Sequence, residues 1–196
     1  MGNKDNFKLA RLMESMGVNE KTTSKETIKY GLAPWVGENP MVLILGTLPS
    51  DVSMKTQAYY QNKSYNSFYK IMENLFQRAT GQSDRDFITS NHIALWDCMK
   101  NANRKGNLDA NIKDDIPNDI KEFLQIHPTI STVVLNGGLA KKKFYRYFTL
   151  SDFNERLKVV PLISSSNAAS KKFEEKLEEW KIVKDIIDAQ SKAKKD

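Results

Sequence analysis

The chain holds one cysteine, Cys98, and two histidines, His92 and His127, in 196 residues. A single cysteine excludes an internal disulfide and fits a reducing, cytoplasmic setting. One Cys with two His also excludes a Cys/His zinc centre. No carboxylate spacing suggests an acidic metal site, so no metal is expected. No apolar run nears the ~20 residues of a membrane span, so no membrane association is expected. The opening residues, MGNKDNFKLARL, lack a long apolar stretch after their positive charges, which speaks against a secretory signal. Asn6 stands where an N-myristoylation signal would need Ser or Thr. Two phosphate-binding patterns, G-x-x-x-x-G-K-[ST] and G-x-G-x-x-G, are absent.

Acidic residues are also in short supply: 24 Asp and Glu face 30 Lys and Arg, a net charge of +6. That balance suits a polyanionic partner, because lysines and arginines near phosphates release counterions. It equally fits a basic protein with no nucleic-acid role. Hydrophobic residues make up 40% of the chain, enough for one domain with a real core. Residues 1–30 read as an N-terminal extension, 31–190 as a single domain, and 191–196 as a charged tail.

Four short apolar runs organise that domain: Met41–Leu45, His92–Trp96, Ile130–Leu135 and Leu157–Leu162. Each reads as a strand, Met41–Leu45 as one buried on both faces, and each stops at a polar or glycine- or serine-rich segment. Helical patterns lie between them. One starts near Asn66, carries Phe68, Ile71, Met72, Leu75 and Phe76, and ends at Gly81. Another opens with Pro117 in its first turn and closes at His127-Pro128. A basic helix follows Asn136-Gly137-Gly138, with Lys141, Lys142, Lys143 and Arg146 outward. The last spans roughly 170–187, with Phe173, Leu177, Trp180, Val183 and Ile187 inward and Glu174, Glu175, Glu178 and Glu179 forming a solvated face. This alternation predicts an α/β fold, a three-layer α/β/α sandwich. In an open parallel sheet, ligands bind outside the carboxyl ends of the strands. The functional residues should therefore lie in the segments that trail the four runs.

Those segments are GTLPS (46–50), DCMKNANRKGNLD (97–109), NGGLA (136–140) and ISSSNAAS (163–170). GTLPS allows close backbone approach at its glycine and also fits a plain strand-exit turn. Tyr59 and Tyr60 precede the first helix in a loop, where a ring can stack on a base. Asn66 fits two roles: an N-cap, which its type favours, or an amide that bonds a heterocycle or orients a water. Asp97 ends a strand and is a candidate polar contact or a structural group. Arg104 and Lys105 could meet phosphate, and Asp109 reads as a turn or cap residue. The serines at 164–166 could cradle phosphate or simply cap the last helix.

In this order the segments resemble the uracil-DNA glycosylase superfamily, in particular its hypoxanthine-DNA (deoxyinosine) glycosylase branch. The resemblance rests on Gly46-Thr47-Leu48-Pro49-Ser50, Tyr59-Tyr60, Asn66-Ser67-Phe68-Tyr69, Trp96-Asp97-Cys98, Arg104–Ile112, Asn136–Ala140 and Leu162–Ala168. It spans about residues 30–185. It implies a central parallel four-stranded sheet and a monofunctional glycosylase, without cofactor or metal, that hydrolyses the N-glycosidic bond of a deaminated base, uracil or hypoxanthine, flipped from DNA. It puts the catalytic asparagine at Asn66, with Asp97 near the sugar. Gly46, Thr47, Leu48, Tyr59, Tyr60 and Phe68 would meet the base, Tyr60 by stacking. Pro49, Ser50, Arg104, Ser164, Ser165, Ser166 and Asn167 would meet DNA phosphate. The partner implied is damaged DNA, bound by a monomer. Some positions depart from the family pattern. Leu48 stands where acidic first motifs carry Asp, Ile163 and Asn167 replace prolines, the final loop has no His, and 61–65 lacks His-Pro. Two rival readings are a DNA- or nucleotide-binding relative without activity and a small-molecule enzyme on a generic α/β fold.

Overall fold

The computed structural model describes residues 28–108 and 111–193. The expectations for residues 1–27, including most of the extension, and for Asp109 fall outside them. Four parallel strands, β2 (Val42–Gly46), β3 (Ile93–Asp97), β6 (Thr132–Asn136) and β7 (Lys158–Leu162), form one sheet in the order β3-β2-β6-β7. Register aligns Gly46 with Asp97 and Asn136 with Leu162, so the strands finish together along one edge.

Strand β2 is central and buried along its whole length. Val42 and Ile44 join one core cluster, while Leu43 and Leu45 join another. A continuous aliphatic run suits such a strand because both faces meet helices. On the first face lie α2 (Phe68–Leu75), α3 (Asp84–Ser90) and α6 (Phe173–Ala193), through Phe68, Ile71, Phe87, Trp180 and Val183. On the second lie α4 (Ile120–Ile126) and α5 (Gly138–Tyr147), through Ile120, Phe123 and Phe144. Each such side chain contributes roughly 1.5–3 kcal/mol by leaving water. The three-layer α/β/α sandwich with its four-stranded parallel sheet is therefore present.

The polar stretch after β3 differs from the expected loop. Met99–Arg104 is strand β4 and Ile112–Pro117 is strand β5; with β1 (Ile28–Tyr30) they make an antiparallel sheet in the order β1-β4-β5. Cys98 alone separates β3 from β4, and its N–H still reaches the Gly46 carbonyl at 2.9 Å. Residues 28–30, read with the extension, thus belong to this second sheet. Pro117 ends β5 instead of opening a helix; the cap of α4 is Asp119, which accepts the Glu122 N–H at 3.1 Å. Two short helices, α1 (Asp51–Thr56) and α3, are additional to the sequence reading. Helix α2 stops at Leu75, well before Gly81. Lys143, expected outward, is buried and paired with Asp115.

Candidate active site

A cavity of about 480 Å³ opens at the carboxyl ends of β2, β3 and β6. Its floor is Gly46. A Cβ there would come within 2.5 Å of Asp97 Oδ1 and 3.1 Å of the Tyr60 hydroxyl. Only a residue without a side chain lets a carboxylate and a phenol converge on that backbone. Asp97 is 3% exposed, and its carbonyl accepts the Asn118 side-chain amide at 2.8 Å.

Tyr60 has a left-handed backbone, φ 56°, uncommon for a bulky residue and therefore held by its surroundings. Its ring stacks on Phe68 with centroids 4.1 Å apart, and its hydroxyl accepts from Asn136 Nδ2 at 3.1 Å. Burial, with help from the Asp97 charge, pushes the phenol far above its ordinary pKa, so the group stays neutral. Burial and the same carboxylate also raise the Cys98 thiol, which leaves it unreactive.

Asn66 sits on the strand-like ribbon before α2. Its Oδ1 accepts the Phe68 N–H at 2.9 Å, while the helix-capping position belongs to Ser67. Asn66 forms a bridge with Ser166. On either side of that bridge, the Ser67 N–H meets the Ser165 carbonyl and the Asn167 N–H meets the Tyr65 carbonyl, each at 2.9 Å. The start of α2 and the final loop are thereby laced together. Gly137, at φ 97°, lets the start of α5 approach Ser164, where a Cβ would lie 2.7 Å from that serine's own.

The loop after β2 is held from the second sheet. Arg104 donates to the Leu48 carbonyl at 3.1 Å and to the Pro49 carbonyl. Lys29 pairs with Asp51 and donates to the Gly106 carbonyl at 2.8 Å. That pairing pulls the Asp51 carboxyl below its usual range. Asn107 accepts the Asp51 N–H at 2.8 Å. Ser50 caps α1 by accepting the Ser53 N–H at 3.2 Å.

Of the expected residues, Gly46, Thr47, Leu48, Pro49, Ser50, Tyr59, Tyr60, Asn66, Asp97, Arg104, Ser164 and Ser166 line the cavity. Phe68 does not: it is fully buried behind Tyr60 and backs that ring. Ser165 points inward to Asn136, with its N–H 2.8 Å from Oδ1 and its hydroxyl 2.9 Å from Nδ2. Asn167 lies outside the lining, where it accepts from the Ser67 hydroxyl at 2.6 Å and donates to the Ser64 carbonyl at 3.2 Å. Arg104 is 2% exposed and turned to carbonyls, unlike a surface phosphate contact. Tyr59 touches the cavity but packs edge-on against Trp35 and donates toward the carbonyls of Leu32 and Ala33.

Sequence reasoning missed Asn136 as a site residue. It lines the cavity and makes three side-chain hydrogen bonds. Its signal was available, since a polar residue closing an apolar strand before Gly-Gly occupies the carboxyl edge. Tyr65, Asn107 and Leu108 were missed too; the last two lie within the Arg104–Ile112 motif, but only the fold turns them to the cavity.

The model of the Uracil DNA glycosylase superfamily matches residues 34–186. A hypoxanthine DNA glycosylase of Methanosarcina acetivorans is 33% identical over 162 residues, covering 80% of this chain and 98% of that protein. A hypoxanthine DNA glycosylase of Methanosarcina barkeri is 34% identical over 113 residues, covering 56% of this chain and 71% of that protein. The solution NMR structure of a candidate uracil DNA glycosylase from Methanosarcina acetivorans superposes with a TM-score of 0.69 at 28% identity, covering 83% of this chain and 99% of that one. Sheet order, the lined cavity and a match running through nearly the whole sandwich agree, and the chain belongs to the uracil DNA glycosylase superfamily.

Proposed function

We propose that the protein hydrolyses the N-glycosidic bond of a deaminated base, hypoxanthine foremost, after that nucleotide has left the DNA stack and entered the cavity. One observation carries the reading. Gly46, Asn66, Asp97 and Ser164, far apart in sequence, line a single cavity at the carboxyl edge of the parallel sheet, in a chain of this superfamily. Hypoxanthine is preferred over uracil because the two Methanosarcina relatives bear that name, one of them matched over 98% of its length. A volume of about 480 Å³ lies within the range of small-ligand clefts and leaves space for a purine.

Cleavage builds positive charge on the sugar and negative charge on the departing base. The Asp97 carboxylate, buried beside Gly46, favours the first. The second needs donors. Asn66 has its oxygen committed to the Phe68 N–H, which leaves its NH2 for the base. Backbone N–H groups near Leu48 add to that. The Tyr60 ring, backed by Phe68, is the wall on which the base stacks. Ser50, Ser164 and Ser166 offer hydroxyls to the flanking phosphates. The net charge of +6 and the exposed Lys105, Lys171 and Lys172 favour DNA as the partner.

Duplexes carrying deoxyinosine, deoxyuridine or deoxyxanthosine provide the test, with base release scored after alkaline strand cleavage. Hypoxanthine should leave fastest, and Asn66→Ala should slow its release roughly a hundredfold while losing about 1 kcal/mol of stability with the Phe68 N–H bond, far too little to unfold the protein. Salt-dependent DNA binding with no base released from any duplex would replace this reading with that of a binding relative without activity.

A further inference from the structure

Lys176 is 2% exposed, yet it makes no ion pair among the described residues. Its Nζ donates to the Ser166 carbonyl at 2.6 Å. Burying an ammonium against one neutral acceptor opposes folding, and burial correspondingly lowers its pKa. The carbonyl does not depend on it for satisfaction, because the Ala169 N–H also reaches it, at 3.2 Å. A methionine would fill similar space without desolvating a charge. Stability alone therefore gives no reason for a lysine at this position.

Its acceptor supplies the reason. Ser166 is the residue bridged to Asn66. The same face of α6 holds the other end of this loop. One turn on, Glu179 accepts the Ile163 N–H at 2.6 Å and Trp180 donates to the Ile163 carbonyl at 2.8 Å. Glu179 is thus half-buried and engaged, unlike the solvated face expected for it. Ile163 and Ser166 are pinned from one rigid helix, and Asn66 is pinned to Ser166. We infer that Lys176 is a positioning residue, which holds the Ser166 backbone so that the Asn66 amide keeps its orientation toward the cavity. The fold gives up some stability for this, as sites that need preorganisation do.

The activity arm of the test rests on the glycosylase reading; the structural arm does not. In the full chain, Lys176→Met should melt at or above the wild-type temperature. Amide exchange at Ser67 and Asn167, whose N–H groups flank the Asn66–Ser166 bridge, should speed up about tenfold or more. Single-turnover release of hypoxanthine, with the DNA fully bound, should fall roughly tenfold to a hundredfold. Lys176→Arg, which retains a donor, should recover most of the rate. A melting temperature well below wild type would make Lys176 an ordinary stabilising contact and overturn the proposal. So would unchanged exchange, or unchanged release in a wild-type enzyme that works. If the wild type releases no base, the glycosylase reading falls and the exchange rates alone decide the role of Lys176.

Discussion

Gly46 leaves open the space that Asp97 and Tyr60 share. An added methyl would sit 2.5 Å from a carboxylate oxygen and 3.1 Å from a phenol oxygen. Neither neighbour is the loose end of a surface chain: Asp97 is buried, and Tyr60 is clasped between Phe68 and Asn136. Gly46→Ala must therefore move a group on which the chemistry depends. We expect a stability loss of about 1–3 kcal/mol by urea denaturation, the usual cost of overpacking. Base release should drop further than that loss explains, roughly a hundredfold under single turnover, because displacement of about an ångström at a reacting centre has that effect. A variant that kept the wild-type rate would show that Asp97 and Tyr60 need not hold these positions.

At the scale of elements, the second sheet acts as a clamp on the loop between β2 and α1. Arg104 and Lys105 are neighbours in sequence with opposite surroundings. Arg104 is buried against the Leu48 and Pro49 carbonyls, and Lys105 is exposed at the hairpin turn. Their substitutions should separate cleanly when DNA affinity is titrated against salt. Lys105→Ala should reduce the slope of log K against log salt by about 0.9 and leave the rate of base release from bound DNA unchanged. Arg104→Met should leave the slope unchanged and lower the release rate, because it frees the loop that carries Leu48. A reduced slope for Arg104→Met would restore the phosphate role expected from its sequence. That expectation arose because β4, MKNANR, hides its pattern. Its buried positions are Met99, Ala102 and Arg104, and its polar residues have low strand propensity. Strands β2 and β6 were legible because aliphatic residues buried on both faces leave a continuous run. Asn66, Asp97 and Gly46 were legible as a set through their motifs and their places at element ends. Lys176 and Glu179 were not, since helical spacing cannot distinguish a solvated charge from one turned under a loop.

The whole molecule closes around the parallel sheet, and one flank depends on a charge cluster that includes Gln61 and Lys63, on either side of the cavity-lining Asn62. Asp84 begins α3 and gathers three partners from two segments: Gln61 Nε2 at 2.7 Å and Lys63 at 3.2 Å from the loop before α2, and Arg78 at 2.7 Å from the loop after it. Burial works against its charge, but the hydrogen bonds from Gln61, Arg78 and Lys63 prevail and hold the carboxyl below its ordinary 3.8. A carboxylate whose value is lower in the folded than in the unfolded chain binds fewer protons when folded. Its contribution is therefore complete above 3.8 and is lost as pH falls from there through its own lower value. Asp84→Asn should cost roughly 1.5–3 kcal/mol at neutral pH, the scale of hydrogen bonds to a charged group. Urea midpoints for wild type and variant should then converge as pH is lowered below 3.8, because protonated Asp84 offers little that asparagine does not. A gap that stayed constant through that range would mean that the cluster contributes by packing, through Arg78 over the Phe87 ring at 5.1 Å, and not through the charge of Asp84.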